Sequence, residues 1–314
     1  MMEIVAVDIG GTHVRFALAG LGGGGVSLGA ETVLRTGDYA GLAKAWQAFG
    51  KQLGRPLPDA AGIAIAAPVD GAEIKLTNNS WLLRPAALAA ELGIGRVALV
   101  NDFAAVAHAV AVCADAQLRH VCGPDRPLPR SGVVSIVGPG TGLGVALLAH
   151  GRVIAAEGGH IGFAPADAME DELLARLRAR HGRVSVERVV SGAGLGEIHA
   201  VLTGAEPPGD DRALWQRALS GEDAQASESL DRFCAILGAV AGDIALAQGA
   251  DAVVIGGGLG LRLADHVADS AFGRRFRAKG RLETRMAGLT VRLITHPQPG
   301  LLGAAAAFAA ADRA

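Results

Sequence analysis

Short apolar runs separated by glycine-rich turns open the chain and predict β-strands. The first forty residues contain three such runs, at residues 4–9, 14–18 and 26–33. They predict a three-strand antiparallel meander. A second meander is predicted by the runs at residues 133–137, 143–149 and 152–155. Because each meander has a glycine-threonine turn after its first strand, the pattern indicates an internal duplication.

Helical spacing and further buried strands follow each meander. Helices are predicted at residues 39–53, 85–92, 103–113, 169–181, 229–248 and 303–311, and strands at residues 61–66, 96–100, 251–255 and 291–295. The alternation of strands and helices in each half is typical of an α/β protein with mixed sheets. At roughly 100 to 200 residues per domain, the 314 residues favour two domains.

Charge and composition exclude several classes of protein. With 29 basic and 31 acidic residues, the net charge of −2 gives no charge-driven affinity for nucleic acid or an anionic membrane. Half of the residues are hydrophobic, which excludes a disordered chain. Cys113, Cys122 and Cys234 form no metal-binding motif, so neither a disulfide scaffold nor a zinc site is expected. These features favour a cytoplasmic protein that does not bind nucleic acid or membranes.

The glycines, 45 in all, suggest phosphate-binding turns. The P-loop motif is missing from the sequence. The spacing of Gly20, Gly22 and Gly25 matches the Rossmann string, but a strand-like segment follows it, so we interpret it as a hairpin tip. Two turns between strands remain as candidates, and each of them alone is also compatible with an ordinary hairpin turn. Their residues are Gly10, Gly11 and Thr12 in the first, and Gly138, Gly140, Thr141 and Gly142 in the second.

Asp8 favours phosphate chemistry at the first turn. It ends an apolar strand, where a carboxylate is costly to bury without a partner. A metal ion that bridges phosphates is a natural partner for it.

With these turns the sequence resembles the bacterial glucokinases of the actin, Hsp70 and hexokinase superfamily. Gly256, Gly257 and Gly258 are similar to that family's adenosine motif. The resemblance implies a two-lobed actin/hexokinase-like (ribonuclease H-like) α/β fold, with a mixed sheet in each lobe and a nucleotide in the interlobe cleft. It implies a small domain of residues 1–112 plus 297–314 and a large domain of residues 113–296. The implied cofactors are ATP, with its phosphates on the two turns, and Mg²⁺, held by Asp8 through water.

Further segments resemble the sugar site of this family. The resemblance implies that Asp102 is the catalytic base and that the residues binding sugar hydroxyls are Asn79, Asn101, Asp102, Glu157, His160 and Glu187. Each has a structural alternative: Asn101 and Asp102 as a helix cap and a helix N-terminal acid, Asn79 as a turn residue, His160 as a structural histidine, Glu157 and Glu187 as surface acids. The joint pattern favours the sugar site, since a hexose offers many hydroxyl groups to paired polar side chains.

The resemblance implies a glucokinase that transfers the γ-phosphoryl group of ATP to the 6-hydroxyl of glucose, working as a homodimer. A kinase for another hexose, such as fructose, mannose or an amino sugar, and a sugar-independent actin-like ATPase remain alternatives. The sequence has no cysteine between Cys122 and Cys234, which points to the zinc-free group rather than the ROK group. Asp243 and Leu261 depart from the family pattern near the adenosine motif.

Overall fold

The computed structural model of the chain describes residues 2–23, 25–76 and 79–312. Its contacts divide the chain into two units, Met1–Cys113 with His296–Ala314 (unit 1) and Ala114–Thr295 (unit 2). The expected domain boundaries lie one residue away at each crossing point.

Strands of both units are numbered together along the chain. Unit 1 contains β1 Met2–Ile9, β2 His13–Gly22, β3 Gly25–Leu28, β4 Thr32–Arg35, β5 Ala60–Ile65, β6 Ile74–Lys75, β7 Leu82–Leu83 and β8 Arg96–Asn101. Unit 2 contains β9 Leu118–Cys122, β10 Val133–Pro139, β11 Leu143–Ala149, β12 Arg152–Ala156, β13 Ala252–Ile255 and β14 Thr290–Ile294.

Helices are numbered in the same way. Unit 1 contains α1 Leu42–Leu53, α2 Pro85–Leu92, α3 Asp102–Val112 and α11 Pro299–Ala311. Unit 2 contains α4 Ala168–His181, α5 Gly194–Thr203, α6 Asp211–Ser220, α7 Ala224–Gln248, α8 Gly257–Arg262, α9 Phe272–Arg277 and α10 Glu283–Ala287. In the described part of the chain, every helix is too short or too polar to span a bilayer.

The two main sheets share one strand order. In unit 1 the order is β3-β2-β1-β5-β8, and in unit 2 it is β12-β11-β10-β13-β14-β9. In each sheet an antiparallel meander adjoins parallel strands, namely β1 with β5 and β8, and β10 with β13 and β14. The predicted α/β class with mixed sheets is therefore confirmed. The order β3-β2-β1-β5-β8 matches β12-β11-β10-β13-β14, which agrees with the predicted internal duplication, and β9 extends the sheet of unit 2 only.

Parallel strands bring the predicted site residues of each unit to one sheet edge. In unit 1 the register aligns Ile9, Ile65 and Asn101 at the carboxyl ends of β1, β5 and β8. Two spacings between neighbouring strands separate Ile9 from Asn101, which is about 10 Å. In unit 2, Val137 is paired with Ile255, so the segments after β10 and β13 emerge side by side.

Several element predictions need correction. The predicted third strand at residues 26–33 is two strands, β3 and β4, which pair with different parts of β2. The helix predicted at residues 229–248 begins earlier, at Ala224, because Asp223 caps it by accepting hydrogen bonds from the amides of Gln225 and Ala226. The elements that were not predicted are helices α5, α6, α8, α9 and α10 and strands β6, β7 and β9. The first turn of α5 contains two glycines, which disfavour helix and hide the signal.

The Rossmann-like string is a hairpin tip, as predicted. Gly22 pairs with Gly25 across β2 and β3, while Gly24 lies outside the described residues.

Apolar packing holds unit 1 together on both faces of its sheet. On one face α1 buries Leu42, Ala45, Trp46 and Phe49 at helical spacing, and Phe49 stacks on Phe16 at 5.0 Å between ring centroids. On the other face α11 packs on β1 and β5, together with α3.

The contact between α3 and α11 depends on a missing side chain. A Cβ built on Gly303 would lie 1.7 Å from the carbonyl oxygen of Ala105. The two helix backbones can therefore approach only because position 303 is glycine.

Gly303→Ala is expected to destabilise the protein by about 2 kcal/mol or more, because the overpacking cost exceeds the helix propensity that alanine adds. Gly209→Ala serves as a control, since position 209 lies in a loop, has open space around it and has no left-handed φ. Urea unfolding of both variants measures the difference. Equal stability of the two variants would contradict the close approach of α3 and α11.

Candidate active site

The first glycine turn connects β1 and β2, and hydrogen bonds from Thr36 engage the carbonyl groups of Gly11 and Thr12. The amide of Gly10 donates to the carbonyl of His13 at 2.9 Å. Thr36 donates its amide to the carbonyl of Thr12 at 3.0 Å and its hydroxyl to that of Gly11 at 2.9 Å. Among the described residues, the amides of Gly11 and Thr12 make no hydrogen bond to protein. The turn therefore has the free N–H groups that a phosphate needs.

Asp8 lies one residue before the end of β1, directly opposite Arg15 on β2. Its Oδ2 lies 3.8 Å from Nη1 of Arg15, and the side chain is 22% exposed. Burial raises the pKa of the Asp8 carboxyl, and the positive charge of Arg15 only partly opposes this. A Cβ on Gly300 would lie 2.5 Å from Oδ2, so the first turn of α11 can approach the carboxylate only with glycine at that position.

The second glycine turn, residues 140–142, connects β10 and β11 and is held by the segment 187–192. The amide of Gly140 donates to the carbonyl of Gly142, and the amide of Gly192 donates to the carbonyl of Gly140, both at 2.8 Å. The amide of Leu143, which follows the turn, donates to Oε2 of Glu187 at 3.0 Å. The amides of Thr141 and Gly142 make no hydrogen bond to other described residues.

The adenosine-like motif lies beside this second turn. The amide of Gly256 donates to the carbonyl of Val137 at 2.9 Å, and Gly257 begins α8 with a φ of +77°. A Cβ on Gly257 would lie 2.6 Å from the carbonyl oxygen of Pro139. A left-handed φ and this close approach together require glycine at position 257.

The two residues that depart from the family pattern near this motif are Asp243 and Leu261. Asp243 forms an ion pair with Lys279, with 2.7 Å between Oδ1 and Nζ. Leu261 is 40% exposed on α8.

Glu157 and His160 lie in one short turn of unit 2 with exposed side chains. Their closest polar atoms, Oε2 and Nε2, are 3.8 Å apart, and the side chains are 72% and 60% exposed. The backbone below them is fixed, since the amide of Val186 donates to the carbonyl of Ile161 at 2.9 Å and the guanidinium of Arg183 donates to the carbonyl of His160 at 2.6 Å. Two polar side chains thus point to solvent from a hydrogen-bonded turn.

Asn101 and Asp102 lie at the junction of β8 and α3. The Asn101 side-chain oxygen accepts from the amides of Phe103 at 2.9 Å and Ala104 at 3.1 Å, and its Nδ2 donates to the carbonyl of Ala67 at 3.3 Å. Asp102 is the first residue of α3, and its Oδ1 accepts from the Phe103 amide at 2.8 Å. The capping alternative for Asn101 is therefore correct, and the cap also fixes where Asp102 begins the helix.

Asn79 lies beside the first glycine turn. It lines a cavity of about 410 Å³ together with Gly11, Thr12 and Thr36. Its Oδ1 accepts from the amide of Trp81 at 2.9 Å, and its Nδ2 is buried with no partner among the described residues. Thr77 and Asn78 of the same segment lie outside the described residues. Trp81 is a packing residue: it is 2% exposed and its indole N–H donates to the carbonyl of Tyr39.

Two contributors were not found from the sequence. Thr36 lies 24 residues beyond Thr12, and its contact with the first turn follows from the pairing of β4 with β2. Leu143 contributes its backbone amide as the hydrogen-bond donor to Glu187. A leucine in the sequence gives no indication of such a role. Its position directly after Gly142 was the one available signal.

A metal ion at this site would have few ligands from the protein. Within residues 2–23, 25–76 and 79–312, no three His, Cys, Asp or Glu side chains are grouped in a way that could hold one. A single half-buried carboxylate with a raised pKa, Asp8, fits a cation whose other ligands are phosphate oxygens and water.

The arrangement of strands, glycine turns and polar residues defines a sugar kinase fold. The structure resembles the crystal structure of a glucokinase from an Antarctic psychrotroph, with a TM-score of 0.85, 30% identity and 98% of each chain covered.

Sequence comparisons agree with this class. The family model described as Glucokinase matches residues 5–311. The chain is 58% identical to the glucokinase of Zymomonas mobilis, with 98% of each chain covered, and 39% identical to that of Caulobacter vibrioides, with 98% of this chain and 95% of the relative covered. The chain belongs to the glucokinase family. The predicted family and enzyme class are confirmed.

Replacing Asp8 with Asn is expected to raise the melting temperature at about pH 8, because the amide cannot ionise and the cost of burying a charge disappears. The difference from wild type should shrink as the pH falls, since the wild-type carboxyl takes up its proton as the pH approaches its raised pKa. Thermal unfolding at several pH values measures this. A lower melting temperature for the Asn variant at every pH would mean that attraction from Arg15 and from the α11 N-terminus outweighs burial.

Proposed function

We propose that this protein transfers the γ-phosphoryl group of ATP to the 6-hydroxyl of glucose, with the residues described above as its machinery. The observation that carries the proposal is the contact in unit 2 between a predicted sugar ligand and a predicted phosphate turn. The carboxylate of Glu187 accepts the amide of Leu143, the residue that follows Gly142. Glu157 and His160 stand on the neighbouring turn. The groups predicted to bind the sugar and those predicted to bind the phosphates are thus close together within unit 2.

Asp102 acts as the base. The Phe103 amide holds its Oδ1, and the cap by Asn101 fixes its backbone, so the carboxylate has a defined direction before substrate arrives. It accepts the proton of the 6-hydroxyl while the sugar oxygen attacks the γ-phosphorus. The phosphorus–oxygen bond to ADP breaks as the new one forms, and ADP leaves with its electron pair.

The remaining groups bind and orient the substrates. Hydroxyl groups of the sugar are bound by Asn79, Asn101, Glu157, His160 and Glu187, each of which offers donors or acceptors. The second amide hydrogen of Asn101 and the buried Nδ2 of Asn79 are donors for this purpose. A sugar that leaves these groups unpaired binds poorly, and this gives discrimination among hexoses.

The nucleotide is bound by glycine backbones in both units. Its phosphates take the unbonded amides of Gly11 and Thr12 in unit 1 and of Thr141 and Gly142 in unit 2, while Gly10, Gly138 and Gly140 shape the turn backbones that present them. Gly256, Gly257 and Gly258 bind the adenosine part. Asp8 would hold Mg²⁺ through water, and the ion would neutralise charge on the transferring phosphoryl group.

Finer assignments follow the same resemblance. We assign the chain to the zinc-free group of the actin, Hsp70 and hexokinase superfamily, since the sequence has no cysteine between Cys122 and Cys234. A cytoplasmic homodimer is the proposed working form. Its three cysteines are free thiols, which suits a reducing compartment. Preference for another hexose is the second candidate, because the exposed side chains of Glu157 and His160 set no size limit on the sugar.

Asp102→Asn is expected to lower kcat by about 10²- to 10⁴-fold and to leave glucose binding within about threefold, since the amide oxygen keeps the bond to Phe103 but cannot take the proton. Steady-state kinetics and calorimetric glucose titration measure the two effects. Asp59→Asn is the matched control: Asp59 also accepts a backbone amide, from Gly95, but lies outside the site, so its variant should keep wild-type turnover. Full activity of Asp102→Asn would refute its role as base.

A further inference from the structure

Leu143 is the point where three segments of unit 2 meet. Its amide follows the second glycine turn and donates to Glu187. Its carbonyl oxygen is covered by the turn that carries Glu157 and His160, since a Cβ on Gly159 would lie 2.1 Å from it. One residue thus contacts both predicted sugar segments and the predicted phosphate turn.

Glu187 is held on both sides by the backbone. It lies in the short helical turn Val186–Arg188. The amide of Val186 is bonded to Ile161, beyond the Glu157 turn, and the amide of Gly192 is bonded to Gly140. Movement of Glu187 therefore moves neighbours that belong to both substrate sites.

The carboxylate also fills the space that a side chain at position 142 would take. A Cβ on Gly142 would lie 2.3 Å from Oε2 and 2.9 Å from Cδ of Glu187. The carboxylate packs against the backbone of the turn and accepts a hydrogen bond from the amide of Leu143. Its position therefore determines the direction in which the N–H groups of the turn point. A carboxylate has two oxygens, and the bond to Leu143 engages one of them.

We propose that Glu187 is a positioning residue for the phosphate turn as well as a sugar ligand, and so couples sugar and nucleotide binding within unit 2. Oε2 holds the amide of Leu143 and keeps the turn of residues 140–142 in its binding conformation, while Oε1 accepts a sugar hydroxyl. A sugar that fixes the carboxylate also stiffens the turn, and a bound nucleotide orders the sugar ligand to the same degree. This inference rests on the proposed function, since both ligands come from it.

The first test measures binding of the magnesium complex of β,γ-imido-ATP by calorimetry without sugar. Glu187→Ala should weaken binding about five- to tenfold, the scale of one lost intramolecular hydrogen bond. Glu187→Gln should stay within about twofold of wild type, because its side-chain oxygen still accepts the Leu143 amide. Glu157→Ala is the matched control for losing a sugar carboxylate: that side chain is exposed, and it too should stay within about twofold.

Other outcomes of this test separate the hypotheses. Unchanged binding in Glu187→Ala would overturn the positioning role. Tighter binding in both Glu187 variants would also overturn it, since the carboxylate would then act by repelling phosphate. Failure of the wild-type protein to bind the nucleotide would refute the proposed function itself.

A second test leaves Glu187 in place and so does not depend on the folding of its variants. Glucose binding is measured without nucleotide in Gly142→Ala and Gly140→Ala. The Cβ at position 142 must displace the carboxylate, so glucose should bind about tenfold more weakly. A Cβ at position 140 meets nothing closer than 3.9 Å, so its variant should match wild type. Equal glucose affinity in the two variants would contradict the coupling.

Discussion

Close approach of backbone to backbone is the constraint on which the fold and the site both depend. In unit 1 it lets α11 reach α3 at Gly303, and it lets the carbonyl of Ala304 reach β5, where a Cβ on Gly62 would lie 2.2 Å from that oxygen. In unit 2 it brings the turn that carries Glu157 and His160 onto Leu143, and the adenosine-like motif onto Pro139. The high glycine content therefore reflects dense packing of main chain around the site as well as turns.

The topology of the two sheets brings the candidate site residues of each unit to one sheet edge. In both units a parallel pair of strands ends at the same edge as a hairpin turn, so backbone amides and carboxylates lie near one another although they are far apart in sequence. In unit 1, Asp8 and Asn101 are brought to one edge by β5, which lies between their strands. In unit 2, Gly257 after β13 packs directly against Gly138 and Pro139 at the end of β10. The five-strand order common to both sheets gives each unit the same kind of edge, with different side chains at it.

Much of this could be predicted from the sequence, because apolar runs between glycines reveal strands and turns without knowledge of tertiary contacts. The strand ends that carry Asp8 and Asn101 are examples. The sequence could not reveal the role of Leu143, since a backbone amide has no residue signature. Nor could it show that Thr36 anchors the first turn, which needs the β2–β4 register, or that β3 and β4 are separate strands. The cap formed by Asn101 was foreseen only as an alternative, because the residue type alone suits both a helix cap and a sugar ligand.

The central claim is that phosphoryl transfer in this protein requires a hexose held by these polar groups. The most direct test is a coupled assay of ADP release from ATP. The assay is run with glucose, with fructose, mannose and amino sugars, and with no sugar. Magnesium is withheld in one arm. The account predicts ADP release that depends on both glucose and magnesium and is fastest with glucose. ADP release at the same rate without any sugar would contradict it.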